Sequence, residues 1–330
     1  MITGGTGFVG YHSAVALMQA GHEVCLLVRS ADKAKKLFGD DTPDYVVGDI
    51  VNAAAIRKAL QGCDGAIHSA AMVSTDAKDA DLVYSTNLDG AKLVISSAME
   101  QGVKSIIHVS SVTALYDPRA TTLDGNSPLG KAKNAYGRSK VACEEYARKM
   151  QDQGAPICIT YPASVIGPDD PGMTEPHEGL KTFLTRFIPV MPSGIQYVDV
   201  RDVAEVHKRL ICGDITQGRY ALGGHYLPWR EHPQFLQHLT GRKLQKFPSN
   251  GLLMRSLGRV VDIIKRVKTL NIPMGYEAMV YATQWVQLDN TMVEQDLNFA
   301  FRPLEESMCD AIKWLHLSGH ISAEQAGTLA

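Results

Sequence analysis

The stretch Thr3-Gly4-Gly5-Thr6-Gly7-Phe8-Val9-Gly10 limits the fold of this chain more than any other, because glycines recur at Gly4, Gly7 and Gly10. Glycine at such positions permits a sharp turn, lets the backbone approach a pyrophosphate and lets the following helix pack closely on a sheet. The first amides of that helix then offer free N–H donors and a positive dipole end to phosphate. A glycine-rich surface turn has the same composition, so context decides. Apolar runs at 24–28, 45–47, 66–67, 106–109 and 157–160 alternate with helical patterns at 10–20, 52–60, 79–101 and 136–150. Gly21, Gly62, Gly102 and Gly154 stand just past those four patterns, where a left-handed C-terminal cap is wanted. The alternation predicts an α/β fold with a doubly wound parallel sheet.

In a Rossmann-type sheet of this kind the glycine turn binds a dinucleotide, and the residue ending the second strand selects which one. That residue is Arg29, 19 positions beyond Gly10. A carboxylate there bonds the ribose 2′-hydroxyl of NAD, whereas an arginine pairs with the 2′-phosphate of NADP. NADP(H) is therefore expected ahead of NAD(H), with Ser30 and Lys33 as further contacts. Only Met1 and Ile2 precede Thr3, so the first strand is expected to be short for a central position.

The 330 residues suit two domains or one large one with an appendage, and 45% hydrophobic with 21% charged residues suits a soluble globular core. Residues 1–165 are expected to form the dinucleotide domain. The turn-rich Gly167–Gly172 and the prolines at 176, 189 and 192 mark a change of pattern. Residues 195–225 are expected to return to the first domain through a strand end, a helix and the short strand 219–222. Residues 166–194 and the largely helical 226–330 would form a smaller substrate domain. A formal net charge of -2 gives no electrostatic reason for a nucleic-acid partner. The six cysteines form no Cys-x-x-Cys pair and read as reduced core residues; His316 and His320 lack a third ligand, so no metal is expected. Residues 1–22 carry no charged side chain but five glycines, which predicts neither a signal peptide nor a membrane span. A cytoplasmic protein is expected.

Tyr136-Gly137-Arg138-Ser139-Lys140 places a phenol and an ammonium at i and i+4 of one helix. A free tyrosine titrates near pH 10, too high for proton transfer at neutral pH; a neighbouring cation favours the phenolate. Such a pair also occurs on any solvated helix. Ile106-Ile107-His108-Val109-Ser110-Ser111 ends a strand in two serines, at the edge where ligands of open α/β sheets bind. A serine there can hold a substrate oxygen or merely cap the strand. Residues 252–268 form a basic amphipathic pattern, with Leu253, Leu257, Val260, Ile264 and Val267 on one face. A helix packing that stripe inward is expected ahead of one lying on a membrane surface.

Together these residues resemble the extended short-chain dehydrogenase/reductase family over nearly the whole chain. Gly4, Gly7 and Gly10 match its glycine turn, Tyr136 and Lys140 its Tyr-x-x-x-Lys pair, and Ser111 its catalytic serine. Asn87 matches an asparagine that organises the active site, Asp49 of Gly48-Asp49-Ile50 one that meets adenine, and His68-Ser69-Ala70-Ala71 the turn after the fourth strand. Residues 197–204 and the tail from Asp296 to Glu306 are similar to the family as well. The resemblance implies catalytic roles for Tyr136, Lys140, Ser111 and Asn87. It implies cofactor contacts from Gly4, Thr6, Gly7, Phe8, Val9, Gly10, Arg29, Ser30, Asp49, Ile50, Ala70, Ala71, Lys140, Pro162 and Val165. The family's nucleotide-sugar epimerases carry Arg-x-x-Asn-Val-Tyr-Gly-Pro, but Tyr161-Pro162-Ala163-Ser164-Val165-Ile166-Gly167-Pro168 has neither Arg nor Asn. The chain looks more like the dihydroflavonol reductase and 3β-hydroxysteroid dehydrogenase branch. This implies hydride exchange between NADPH and a small, largely apolar carbonyl or alcohol, by a monomer or homodimer. An epimerase or dehydratase holding NAD, and a non-catalytic NADP sensor, are the alternatives.

Overall fold

The computed structural model describes residues 1–73, 77–265 and 275–330. At its centre lies a seven-stranded sheet. From edge to edge the order is Gly218–Leu222, Ile157–Pro162, Ser105–Val109, Gly65–His68, Ile2–Thr3, Cys25–Val28 and Asp44–Val47. All neighbours are parallel. Parallel strands covered on both faces require apolar residues at successive positions. Leu27, Ala66 and Ile106 accordingly pack on one face with Ile56, Leu60, Val94 and Ala147. Their neighbours Leu26, Ile67 and Ile107 pack on the other with Ala14, Leu17, Val203 and Val206.

The helices covering the sheet are Phe8–Gln19, Ala53–Leu60, Ala80–Glu100, Ala135–Asp152 and Val200–Cys212. The first four end before Gly21, Gly62, Gly102 and Gly154, whose φ values are 85°, 76°, 72° and 88°, the left-handed conformation the sequence predicts. The central strand is only Ile2–Thr3, yet it pairs on both sides, and the Met1 ammonium adds a 2.8 Å bond to the Gly65 carbonyl. From this strand the chain winds outward to Asp44–Val47, then crosses back to Gly65–His68 and winds the other way. The reversal opens a crevice beyond the C-terminal strand ends.

The rest of the chain builds a smaller cluster on helices Glu175–Thr185, His232–Thr240 and Leu304–Leu317, joined through Leu180, Leu184, Leu236, Met308, Ile312 and Leu315. Gly194–Asp199 joins a separate three-stranded sheet, between Ser164–Ile166 and His225–Pro228. Two helices had no counterpart in the sequence reading, Ala31–Phe38 and Glu175–Thr185; both are short, and short periodic patterns are weak signals.

Helix Gly251–Lys265 departs from the inward packing expected of it. Leu253, Leu257, Val260 and Ile264 are 53%, 43%, 51% and 41% exposed. Its polar side packs instead on helix Tyr276–Thr283: the Arg255 guanidinium donates to Thr283 Oγ1 at 2.8 Å, and Asp262 accepts from the Tyr276 amide at 2.9 Å. Gly258 explains the choice of face. A Cβ there would stand 2.8 Å from the Gly275 carbonyl oxygen, so only the glycine side admits so close a neighbour. Arg266, Val267 and Lys268 of the same pattern lie outside the described residues. No described helix is long and apolar enough to cross a membrane.

Candidate active site

Six loops leave the C-terminal strand ends and line one cleft of about 740 Å3, within the range of roughly 300–1,000 Å3 usual for ligand pockets. Its floor is the glycine turn. Gly4 sits at φ 72°, and a Cβ on it would lie 2.7 Å from the Ala70 amide nitrogen. Gly10 does not line the cleft; its missing side chain lets the helix start against the turn, since a Cβ would meet the Gly4 carbonyl oxygen at 2.2 Å. Gly7 caps helix Phe8–Gln19 with no side-chain acceptor, and no acid stands in the first turn. The first amides of this helix are therefore open to an anion in the cleft. Gly10→Ala is expected to destabilise the fold by roughly 1–3 kcal/mol through overpacking against backbone. It should also weaken dinucleotide binding; denaturant midpoints and a fluorescence titration would measure the two effects.

At one end of the cleft stand Arg29, Lys33, Gly48, Asp49 and Ile50. Arg29 and Lys33 are exposed and have no carboxylate partner among the described residues. Ser30 stands next to Arg29, at the start of the next helix. It does not line the cleft, and its hydroxyl accepts from the Lys33 amide at 3.2 Å as the cap of helix Ala31–Phe38. A serine at the start of a helix meets its backbone need first.

Tyr136, Lys140, Ser110, Ser111 and Thr113 line the middle of the cleft, with Ala70, Ala71, Pro162 and Val165. Helix Ala135–Asp152 starts where Asn134 accepts from the Gly137 amide at 2.6 Å, which puts Tyr136 in its first turn. Lys140 lies one turn on, buried, with its ammonium donating to the Val109 carbonyl at 3.1 Å and 5.8 Å from the Tyr136 ring centre. Asn87 fixes this helix without touching the cleft. Its Oδ1 accepts from the Met72 amide at 2.7 Å, and its Nδ2 donates to the Met72 carbonyl at 3.0 Å and to Ser139 Oγ at 2.9 Å. It clamps the loop after the fourth strand to the helix bearing Tyr136.

Beneath Lys140 two imidazoles stack, His68 and His108, with centres 5.6 Å apart. Burial, then the Lys140 charge, pulls His68 down to about 3. Burial, His68 and Lys140 push His108 well below its ordinary value. Both are neutral at physiological pH, so no second cation crowds the ammonium.

The two serines differ. Ser111 Oγ donates to Thr113 Oγ1 at 3.1 Å and accepts from the Thr113 amide at 3.2 Å, capping the short turn Val112–Ala114. Ser110 Oγ is buried and has no hydrogen-bond partner among the described residues. The family resemblance gives the catalytic role to Ser111.

The opposite end is walled by Phe183, Ile195, Tyr197, Trp229, Tyr281 and Trp285. None of these six was legible as a site residue, because they come from segments far apart in the chain. Thr174 and Glu175 add the polar groups there, where a loop held by a buried carboxylate enters helix Glu175–Thr185. Asp170 accepts from the Gly172 amide at 2.9 Å, the Thr174 amide at 2.6 Å and Thr174 Oγ1 at 2.7 Å, and meets His177 at 2.9 Å. Burial works to raise this carboxyl, but those bonds hold it below the ordinary range.

The sequence profile of the NAD dependent epimerase/dehydratase family matches residues 1–223. A Synechocystis sp. protein named "Putative dihydroflavonol 4-reductase" is 29% identical over 336 residues, 98% of this chain and 96% of that protein. Cinnamoyl-CoA reductase 1 of Arabidopsis thaliana is 28% identical over 239 residues, 67% of this chain and 69% of that protein. Among solved structures, a nucleoside-diphosphate-sugar epimerase from Pseudomonas aeruginosa superposes with a TM-score of 0.76 at 22% identity. That match spans 97% of this chain and 98% of the other.

Proposed function

Because this chain belongs to the NAD dependent epimerase/dehydratase family, the extended short-chain dehydrogenases/reductases, we propose that it is an NADP-dependent reductase of a small, largely apolar carbonyl compound, acting also on the matching alcohol. One observation carries the reading: Tyr136, Lys140 and Ser111 share a single cleft with the glycine turn, and the wall facing them is aromatic. An aromatic wall suits an apolar molecule, and the missing Arg and Asn of Tyr161–Pro168 argue against a sugar nucleotide. The two reductase relatives support the same direction.

The cradle fits the cofactor. Gly4 and Gly7 would pass its pyrophosphate across the open amides of helix Phe8–Gln19, and Asp49 and Ile50 would border its adenine. Arg29 and Lys33 would meet a 2′-phosphate. When bound, NADPH supplies hydride to a carbonyl carbon. Tyr136 gives its hydroxyl proton to the carbonyl oxygen, and Ser111 turns its hydroxyl from Thr113 to donate to the same oxygen. The Lys140 ammonium, fixed on the Val109 carbonyl, stabilises the phenolate left behind. Asn87 acts as a positioning residue through Met72 and Ser139.

Loss of NADPH absorbance against a panel of ketones and aldehydes, with NADH in parallel, tests the reading. Consumption of NADPH at least tenfold more efficient than of NADH is expected. Epimerisation of a sugar nucleotide without net cofactor consumption would overturn it. Arg29→Ala is expected to raise the KM for NADPH by roughly 10–100-fold, the loss of one charge-assisted contact of about 1.5–3 kcal/mol, and to leave that for NADH nearly unchanged. Equal effects on both would remove Arg29 from cofactor selection.

A further inference from the structure

Helix Gly251–Lys265 turns its apolar side outward, and nothing in the proposed reaction uses that side. Leu253, Leu257, Val260 and Ile264 form the stripe, with Leu252 and Ile263 exposed beside it. Phe247, just before the helix, is exposed and in ring contact with exposed Phe187, 6.0 Å between centres. Exposed apolar side chains gathered along one helix face mark an interaction surface. Its charges are sorted as well. Residues 242–265 hold Arg242, Lys243, Lys246, Arg255, Arg259 and Lys265 against a single acid, Asp262, in a chain whose net charge is -2. Asp262 is turned inward to the Tyr276 amide. Lys243 and Lys246, together with Arg186 beside Phe187, are exposed and without a carboxylate partner among the described residues, whereas Arg259 lies over the Tyr276 ring, 4.6 Å from its centre.

We propose that this face docks on an anionic lipid bilayer, with the apolar stripe entering the acyl boundary and the exposed cations meeting lipid phosphates. A helix with one apolar face and a cationic rim is the form that lies in a membrane interface. A second copy of the chain fits the face less well, because a two-fold contact sets the same patch against itself and brings its cations together. The helix lies along Tyr276–Thr283, which sends Ala278 and Tyr281 into the cleft. The aromatic end of the cleft therefore adjoins the docking face. Docking itself does not depend on the reaction proposed above.

Co-sedimentation with vesicles of phosphatidylcholine, with and without phosphatidylglycerol, at low and high salt, tests this. Binding about tenfold stronger to the phosphatidylglycerol vesicles at low salt, and weakened by high salt, is expected. Leu253→Asp with Leu257→Asp should abolish that binding, and Lys243→Glu with Lys246→Glu should remove the preference for phosphatidylglycerol. NADPH binding and the thermal midpoint should hold in both variants, because these side chains are exposed. No sedimentation with anionic vesicles overturns the proposal. So does a dimer in light scattering that Leu253→Asp with Leu257→Asp converts to monomer, which gives the face to a second copy.

Discussion

Tyr136→Phe is expected to lower kcat by roughly 10²–10⁴-fold, the usual worth of a positioned proton donor, while NADPH binds almost as before. The substitution removes one oxygen. It leaves the glycine turn, the Asn134 cap of the helix and the Lys140 bond to Val109 untouched. Stopped-flow turnover together with a fluorescence titration separates the two effects. Loss of both would mean that the phenol holds the cofactor rather than moving a proton, and full turnover would put the donor elsewhere. Lys140→Met should lower turnover too, but here cofactor binding is expected to weaken, since this ammonium is buried in the wall of the cleft.

The second large effect is on stability, which is expected to fall steeply as pH drops below about 6.5. Burial pulls His68 and His207 down to about 3 and His232 to about 4. An unfolded chain protonates these imidazoles near pH 6.5. Between those values the unfolded state binds protons that the folded state refuses, so stability is present above 6.5 and is lost on acidification. At pH 5 each histidine costs about 2 kcal/mol. Three of them approach the whole stability of a typical domain, about 5–15 kcal/mol. His108 acts in the same sense. Asp202 opposes them: burial pushes its carboxyl up to about 6, so it gains stability as pH falls from 6 toward its ordinary range. One carboxyl against four imidazoles does not reverse the sign. Urea midpoints at pH 7 and pH 5 read the difference directly. A flat profile would mean that the imidazoles are not held neutral, and His207→Gln should flatten part of it.

The sheet was legible because its signals are local. Apolar runs such as 106–109 stand for strands buried on both faces, and four of the five helices that cover the sheet leave a glycine in the left-handed conformation just past their ends. The glycine turn and Tyr136/Lys140 were legible for the same reason, since spacing along one element fixes their geometry. Ser30 shows the limit of position alone. It follows Arg29 directly, but it stands outside the cleft, its oxygen accepting from the Lys33 amide at the start of a helix. The aromatic wall could not be read, because Tyr197, Trp229 and Tyr281 meet only through tertiary folding. Helix Gly251–Lys265 carries the opposite lesson. Its periodicity is correct, but Gly258 and the polar anchors Arg255 and Asp262 decide which face turns inward, and hydrophobic pattern does not record that choice.

Incubating the protein with an apolar ketone and NADPH deuterated at the transferable position, then weighing the products, asks the central question most simply. The account predicts one deuterium on the carbinol carbon and one oxidised cofactor for each alcohol formed. Product without deuterium, or a cofactor that ends every cycle with its label intact, would contradict it.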